Sequence, residues 1–410
     1  MAASTSPTLP LDDVWQPAAR SAAAATSAMR AGRDIRIHFQ ESAQACLAAH
    51  AGENHGYWRG VLEEGSAAFA PNLRTRPGVV TAGGDVWPIT VNDAIEDNSY
   101  PCSLHTQYVR YPRAELALVP TPGQRLAARA GLVVLDALLR IAEADRVVQW
   151  SSWLYSTNLH APTTAAAVGP VTAALAAAFP RHAVLIKNVH EADGTGLPGA
   201  LALAGYQSIT SRQVYLFDGR TKDFAQKSTV KRDLKELGQL RTHHVVEHDA
   251  FTEEDVPRIT ELYQRLYVEK HSRLNPRYTR RFVSRALRGR WLEFRGLRHV
   301  SGRLDGVSGC FTHGGVTSTP FIGHDTTLPT DLGLYRHLVS MLLQRVAERG
   351  QLLNYSSGAG DFKRRRGGRP VIEHNAVHTA HLPKARQAAF RLLGGLVDRV
   401  GRRFLEENQI

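Results

Sequence analysis

Cysteine is scarce in this chain: Cys46, Cys102 and Cys310 are the only three in 410 residues. They are odd in number and far apart, which excludes a disulfide framework and cysteine-based metal spacings, so a reducing, cytoplasmic setting is expected. Long apolar runs are lacking too, and none approaches the ~20 residues a membrane-spanning helix needs. The third shortage is of acid. Asp plus Glu total 38 against 50 Lys plus Arg, a formal net charge of +12. A field of that sign attracts phosphate-bearing partners such as RNA, nucleotide cofactors or anionic lipid, although a genome that favours arginine produces the same balance. No Gly-x-Ser-x-Gly element occurs, so a nucleophile elbow is excluded.

What is present is the composition of a globular protein, 43% hydrophobic and 21% charged, with enough chain for two ordinary domains. Residues 1–34 are rich in Ala, Ser, Thr and Pro and lack the pattern of a secretory signal, so a mobile tail is expected there. A first lobe over 35–241 follows, legible from about residue 85. Gly123 to Ala144 and Thr163 to Phe179 read as helices; Val147 to Trp150, Ala183 to Lys187 and Arg212 to Phe217 read as strands. Helices alternating with short apolar strands argue for an α/β layer with a mostly parallel sheet. A basic connector, 220–241, carries Lys227, Lys231 and Lys235 at i, i+4 and i+8, one stripe of a helix.

The second lobe, 242–410, reads as a strand at His244 to Glu247, helices over Glu253 to His271 and Arg277 to Leu287, and a three-strand meander. Next come a strand ending at His324-Asp325, a helix over Gly333 to Arg349, a buried strand from Leu352, a glycine-rich basic turn, a last strand and a terminal helix. This order resembles the GNAT acetyltransferase fold. The segment LNYSSGAGDFKRRRGG, with its pair Phe362-Lys363, resembles the end of Fem-type and BioF2-like transferases. The fold class implied is α/β, two fused GNAT-like (acyl-CoA N-acyltransferase-type) lobes with mixed central sheets.

The resemblance implies acyl transfer to an amine, from aminoacyl-tRNA in Fem-type members and from acyl-CoA or an acyl carrier protein in others. Fold alone does not choose between them. GNAT enzymes bind the CoA pyrophosphate at a small-residue turn opening a helix, where backbone N–H groups and the helix dipole favour anions. Here that turn reads Thr330-Asp331-Leu332-Gly333-Leu334-Tyr335. A carboxylate at 331 and a bulky ring at 335 oppose a pyrophosphate, which moves weight to aminoacyl-tRNA as donor, with no resident cofactor. The acceptor is then an amine on a small metabolite or a cell-wall precursor.

Amide formation needs alignment, a proton acceptor and oxyanion stabilisation. Candidate proton acceptors are His324, Asp325 and Glu373. Lys363, by analogy with the Fem pair, is the candidate for the oxyanion or the donor's phosphate. Tyr335, Arg336 and Phe362 are substrate-binding candidates, as is a polar-aromatic set in the first lobe: Asn98, Tyr100, Tyr108, Trp153, Asn158 and Arg212. Lys363, Arg364, Arg365, Arg366 and Arg369, with Lys227, Lys231 and Lys235, are candidate RNA or phosphate contacts. The histidine groups at 243, 244 and 248 and at 374, 378 and 381 lack the spacing of a metal site, and none is expected.

Overall fold

The computed structural model describes residues 35–408 apart from 51, 94–96 and 120; the expected tail lies outside the described residues. The strands are β1 (Arg36–Phe39), β2 (Arg76–Ala82), β3 (Asp85–Asp93), β4 (Arg146–Trp150), β5 (Ala183–Val189) and β6 (Gln207–Asp218). In the second half they are β7 (His243–Glu247), β8 (Glu293–His299), β9 (Leu304–His313), β10 (Val316–His324), β11 (Leu352–Asn354) and β12 (Arg369–His378). The helices used below are α1 (Gln40–Ala49), α2 (His55–Glu64), α3 (Pro122–Ile141), α4 (Thr163–Ala178), α5 (Leu197–Leu203) and α6 (Ser228–Gly238). They continue as α7 (Val256–Tyr263), α8 (Arg280–Arg288), α9 (Leu334–Arg349), α10 (Gly360–Arg365) and α11 (Lys384–Asn408).

All twelve strands join one sheet in the order β1-β2-β3-β4-β5-β12-β6-β11-β10-β9-β8-β7. That order is symmetric about the β12–β6 pair. Each half lays down five strands of its own and then receives the sixth strand of the other half. The pairing directions obey the same symmetry: β4–β5 and β10–β11 are parallel, and every other neighbour is antiparallel. The expected mostly parallel sheet is therefore corrected. Among the described residues only α4 and α9 are crossover helices joining parallel neighbours; hairpins make β2–β3 and the β8–β9–β10 meander antiparallel, as short connections must.

Local chemistry explains the ends of the key elements. Gly333 (φ +61) precedes α9 and Gly350 (φ +62) follows it, both in the left-handed region that glycine adopts at little cost. Thr279 opens α8 by accepting a hydrogen bond from the Phe282 N–H, and Thr252 with Asp255 forms a capping box ahead of α7. Between the sheet and α7–α8 lies an aromatic core: Phe321 stacks on Tyr263 at 4.4 Å and Tyr278 on Phe282 at 4.2 Å, ring centre to ring centre. On the opposite face α9 buries Leu338, Val339, Leu342 and Leu343.

Candidate active site at the seam of two lobes

At the seam, β6 and β12 bring Arg212 directly opposite Glu373. The guanidinium Nε donates to Glu373 Oε2 at 2.8 Å, and Glu373 is fully buried. Asn188, at the end of β5, donates to the same oxygen at 2.9 Å, and Asn354, ending β11, donates to the other at 2.9 Å. Burial works to raise the Glu373 carboxyl, but the Arg212 charge, His190 and these donors hold it below its usual range. Arg212 Nη2 donates in turn to Ser156 O and Thr157 Oγ1. Asn158 donates its backbone N–H to Asn188 Oδ1 and accepts from Trp153 N–H. Arg212, Glu373, Asn158 and Trp153 therefore meet in one network.

A second group lies on the other face of the sheet. Arg212 and Tyr215 are three apart on β6 and project to opposite sides, and Lys363 Nζ packs 5.5 Å from the Tyr215 ring. His324 lies 6.1 Å from the Tyr335 ring and Tyr335 5.3 Å from Phe362. The Tyr355 hydroxyl donates to that of Tyr335 at 3.1 Å, and Lys363 Nζ is 4.5 Å from the Tyr355 ring. The structure thus collects His324, Tyr335, Phe362 and Lys363, which the sequence left as separate candidates. Burial and the nearby Tyr100, Tyr335 and Tyr111 push the Tyr267 hydroxyl pKa up, and Arg212 opposes them.

The expected proton acceptors separate by environment. Asp325 receives Arg258 Nη2 at 2.6 Å, Arg265 Nη1 at 2.7 Å and the Thr327 hydroxyl at 2.6 Å. Although burial opposes it, the bonds from Thr327 and Arg258 hold this carboxyl far below its usual range. Asp325 is a structural ion that pins α7 to β10, and its expected role as base is corrected. The same correction applies to Glu373, whose two oxygens are both committed. His324 differs. It is half-buried, its Nδ1 has no hydrogen-bond partner among the described residues, and burial, then the charge of Lys270, push its pKa below the usual imidazole value. The Nδ1 atom is itself buried; a neutral imidazole accepts a proton at a ring nitrogen that a substrate can reach.

Lys363 is also corrected. It is 3% exposed, and its Nζ donates to the carbonyls of Tyr355 (2.7 Å), Ser356 (3.1 Å) and Ser357 (2.9 Å). Burial pushes its pKa down to about 7, yet three carbonyls match the three N–H bonds of an ammonium and outnumber those of a neutral amine. The cation holds the glycine-rich turn together and is not presented to a phosphate. The rest of the basic run divides. Arg364 donates to the Tyr215 hydroxyl and to Asp361; Arg366 pairs with buried Asp233 at 2.6 Å and covers the Phe362 ring; Arg365 and Arg369 are exposed.

Lys227, Lys231 and Lys235 are exposed on and just before α6. The Thr229 hydroxyl bonds the Arg365 carbonyl at 2.6 Å, and the Lys227 stem lies against Gly367. The start of α6, with Lys227, therefore abuts the turn that carries Arg365. At the start of α9, Arg336 folds back on Gly333 and pairs with Glu236 at 2.7 Å. Asn98 and Tyr108 are corrected to structural roles. Asn98 brackets the backbone of Arg74, and the Tyr108 hydroxyl donates to Thr210 O while accepting from Asn375. Tyr100 stays half-buried beside Arg212, and its carbonyl accepts from buried Lys187 at 2.7 Å. Among the described residues no group of histidines, cysteines and acids could hold a metal ion, and no helix is long and apolar enough to cross a membrane.

Sequence reasoning missed Asn188, Asn354, Tyr267 and Lys187. The first two had a signal, an amide at the end of an otherwise apolar strand, and Lys187 likewise follows four apolar residues. Tyr267 belongs to a π-helical stretch, Gln264–His271, a geometry frequent at functional sites but invisible in composition.

The order strand, paired helices, antiparallel strands, crossover helix, strand, short helix and strand recurs in the two halves of a mixed α/β fold, with α3 inserted between β3 and β4 in the first. No protein-family model and no curated protein matches the chain. Among solved structures it is similar to FemX, at 9% identity and a TM-score of 0.48, over 88% of this chain and 99% of that one. The C-terminal domain of a putative lysylphosphatidylglycerol synthetase from Agrobacterium fabrum aligns at 12% identity and a TM-score of 0.42, over 65% of this chain and 92% of that one. A tandem GNAT protein from the clavulanic acid biosynthesis pathway aligns at 12% and 0.37, over 86% and 100%.

Proposed function

We propose that this chain is an amide-forming transferase that moves an aminoacyl group from aminoacyl-tRNA to the amine of a small acceptor. The observation that carries the donor assignment is the set of exposed cations Lys227, Lys231, Lys235, Arg365 and Arg369, where the start of α6 abuts the turn that carries Arg365. Exposed cations of this kind suit a polyanionic backbone. The start of α9 supports the same donor: Arg336 lies over Gly333, and Tyr335 fills the space where a nucleotide pyrophosphate would need small residues.

In the reaction the amine nitrogen attacks the ester carbonyl, the new N–C bond forms and the ester C–O bond to ribose breaks. The His324 imidazole accepts the proton released by the amine and returns it to the departing ribose hydroxyl. Tyr335 and Phe362 line the approach to His324. The acceptor lies toward Tyr100, Tyr111 and Tyr267, which surround Arg212.

Binding of mixed tRNA at rising salt tests the donor. The intact protein should bind with a steep loss of affinity as salt rises, and Lys227→Glu/Lys231→Glu/Lys235→Glu should bind more weakly with a shallower slope. Equal binding by both proteins sinks the assignment.

A further inference from the structure

Helix α3 has two apolar faces. Leu132 and Leu139 are buried at 7% and 2% exposure, whereas Leu126, Val133, Val134 and Ile141 are 70%, 64%, 51% and 57% exposed. Ala130 and Ala137 are exposed between them. At 100° per residue the exposed set forms a stripe opposite the buried pair. Leu126, Ala130, Val133, Ala137 and Ile141 recur at steps of three and four, the spacing of a seam between helices. Arg129, Asp136 and Arg140 lie along one flank of this stripe only. Apart from that flank, α3 presents apolar side chains on two faces, and only the inner one is covered within the chain.

We infer that the outer face of α3 packs against α3 of a second copy of this chain, antiparallel, about a two-fold axis between Val133 and Val134. The sequence of the stripe is its own complement about that point: Leu126 meets Ile141, Ala130 meets Ala137 and Val133 meets Val134. Asp136 on the flank is already bonded within its own chain to Arg140 and His105. A 20-residue helix offers a strip about 30 Å long, at the low end of specific interfaces, so the association is reversible. The stripe has no Trp, Tyr or Phe and carries an acid on its flank, which fits a lipid surface poorly.

Sedimentation velocity of the full chain over a wide concentration range tests this, alongside Val133→Asp, whose exposed site leaves folding intact. The intact protein should pass from monomer to dimer, and Val133→Asp should raise the dissociation constant by on the order of 100-fold, because the change enters the interface twice. A mixture of Ala130→Cys and Ala137→Cys proteins should form a mixed disulfide dimer under oxidation, and Ala130→Cys alone should not. A monomer at every concentration, or an unchanged Val133→Asp dimer, overturns the proposal. So does a monomer that sediments with phosphatidylglycerol vesicles and loses that binding on Val133→Asp.

Discussion

Arg212 and Glu373, 161 residues apart in sequence, form a buried ion pair of 2.8 Å within the antiparallel ladder of the two exchanged strands, β6 and β12. Each comes from a different lobe, so the pair locks the exchange. Removing one partner leaves an uncompensated buried charge, and Arg212→Ala or Glu373→Ala should cost about 3–5 kcal/mol. Glu373→Gln with Arg212→Met should cost less, measured by urea unfolding.

The same pair sets an acid limit on stability. The folded Glu373 carboxyl lies below its unfolded value, so its contribution is complete above the unfolded value of about 4.3 and is lost as pH falls through the folded one. Unfolding free energy should decline through that acid range, and Glu373→Gln should flatten the decline.

Strand exchange makes each lobe depend on the other. Residues 35–241 alone would lack β12, and 242–408 alone would lack β6. Chains cut between β6 and β7 should co-purify when expressed together, while either half alone should aggregate through its open sheet edge.

Lys363 separates a structural role from a donor-binding one. Lys363→Met abandons three carbonyls and should lower stability by about 1–3 kcal/mol, read as a fall in Tm. An unchanged Tm with weaker tRNA binding would instead restore the phosphate contact.

His324→Asn should reduce turnover by roughly 10²–10⁴-fold with little change in Tm. Because burial lowers the imidazole pKa, the acid limb of the rate profile should fall below the pH of an ordinary histidine.

Much of the fold was legible because its helices and central strands carry clean periodicity: α3, α4, α9, β4 and β5 lie within a few residues of expectation. Strands β1 to β3 were not. Pro77 and Pro88 interrupt β2 and β3, and proline normally argues against a strand inside a sheet. Pro88 is tolerated because the ladder to β4 begins at Ile89, one residue beyond it. The exchange of β6 and β12 had no local signal, since periodicity reports which residues form a strand and not which strand lies beside it. For the same reason Arg212 and Glu373 were found singly but not as a pair, and Asp325 was taken for a base without the arginines of another helix that neutralise it.

The most direct measurement is turnover: purified protein with tRNA charged with labelled amino acids, and in parallel with acyl-CoA, each given a panel of small amines. Label moving from tRNA into a stable amide, and lost on His324→Asn, is the result expected here. Label that stays on tRNA while acyl-CoA is consumed and acylated amine appears would contradict it.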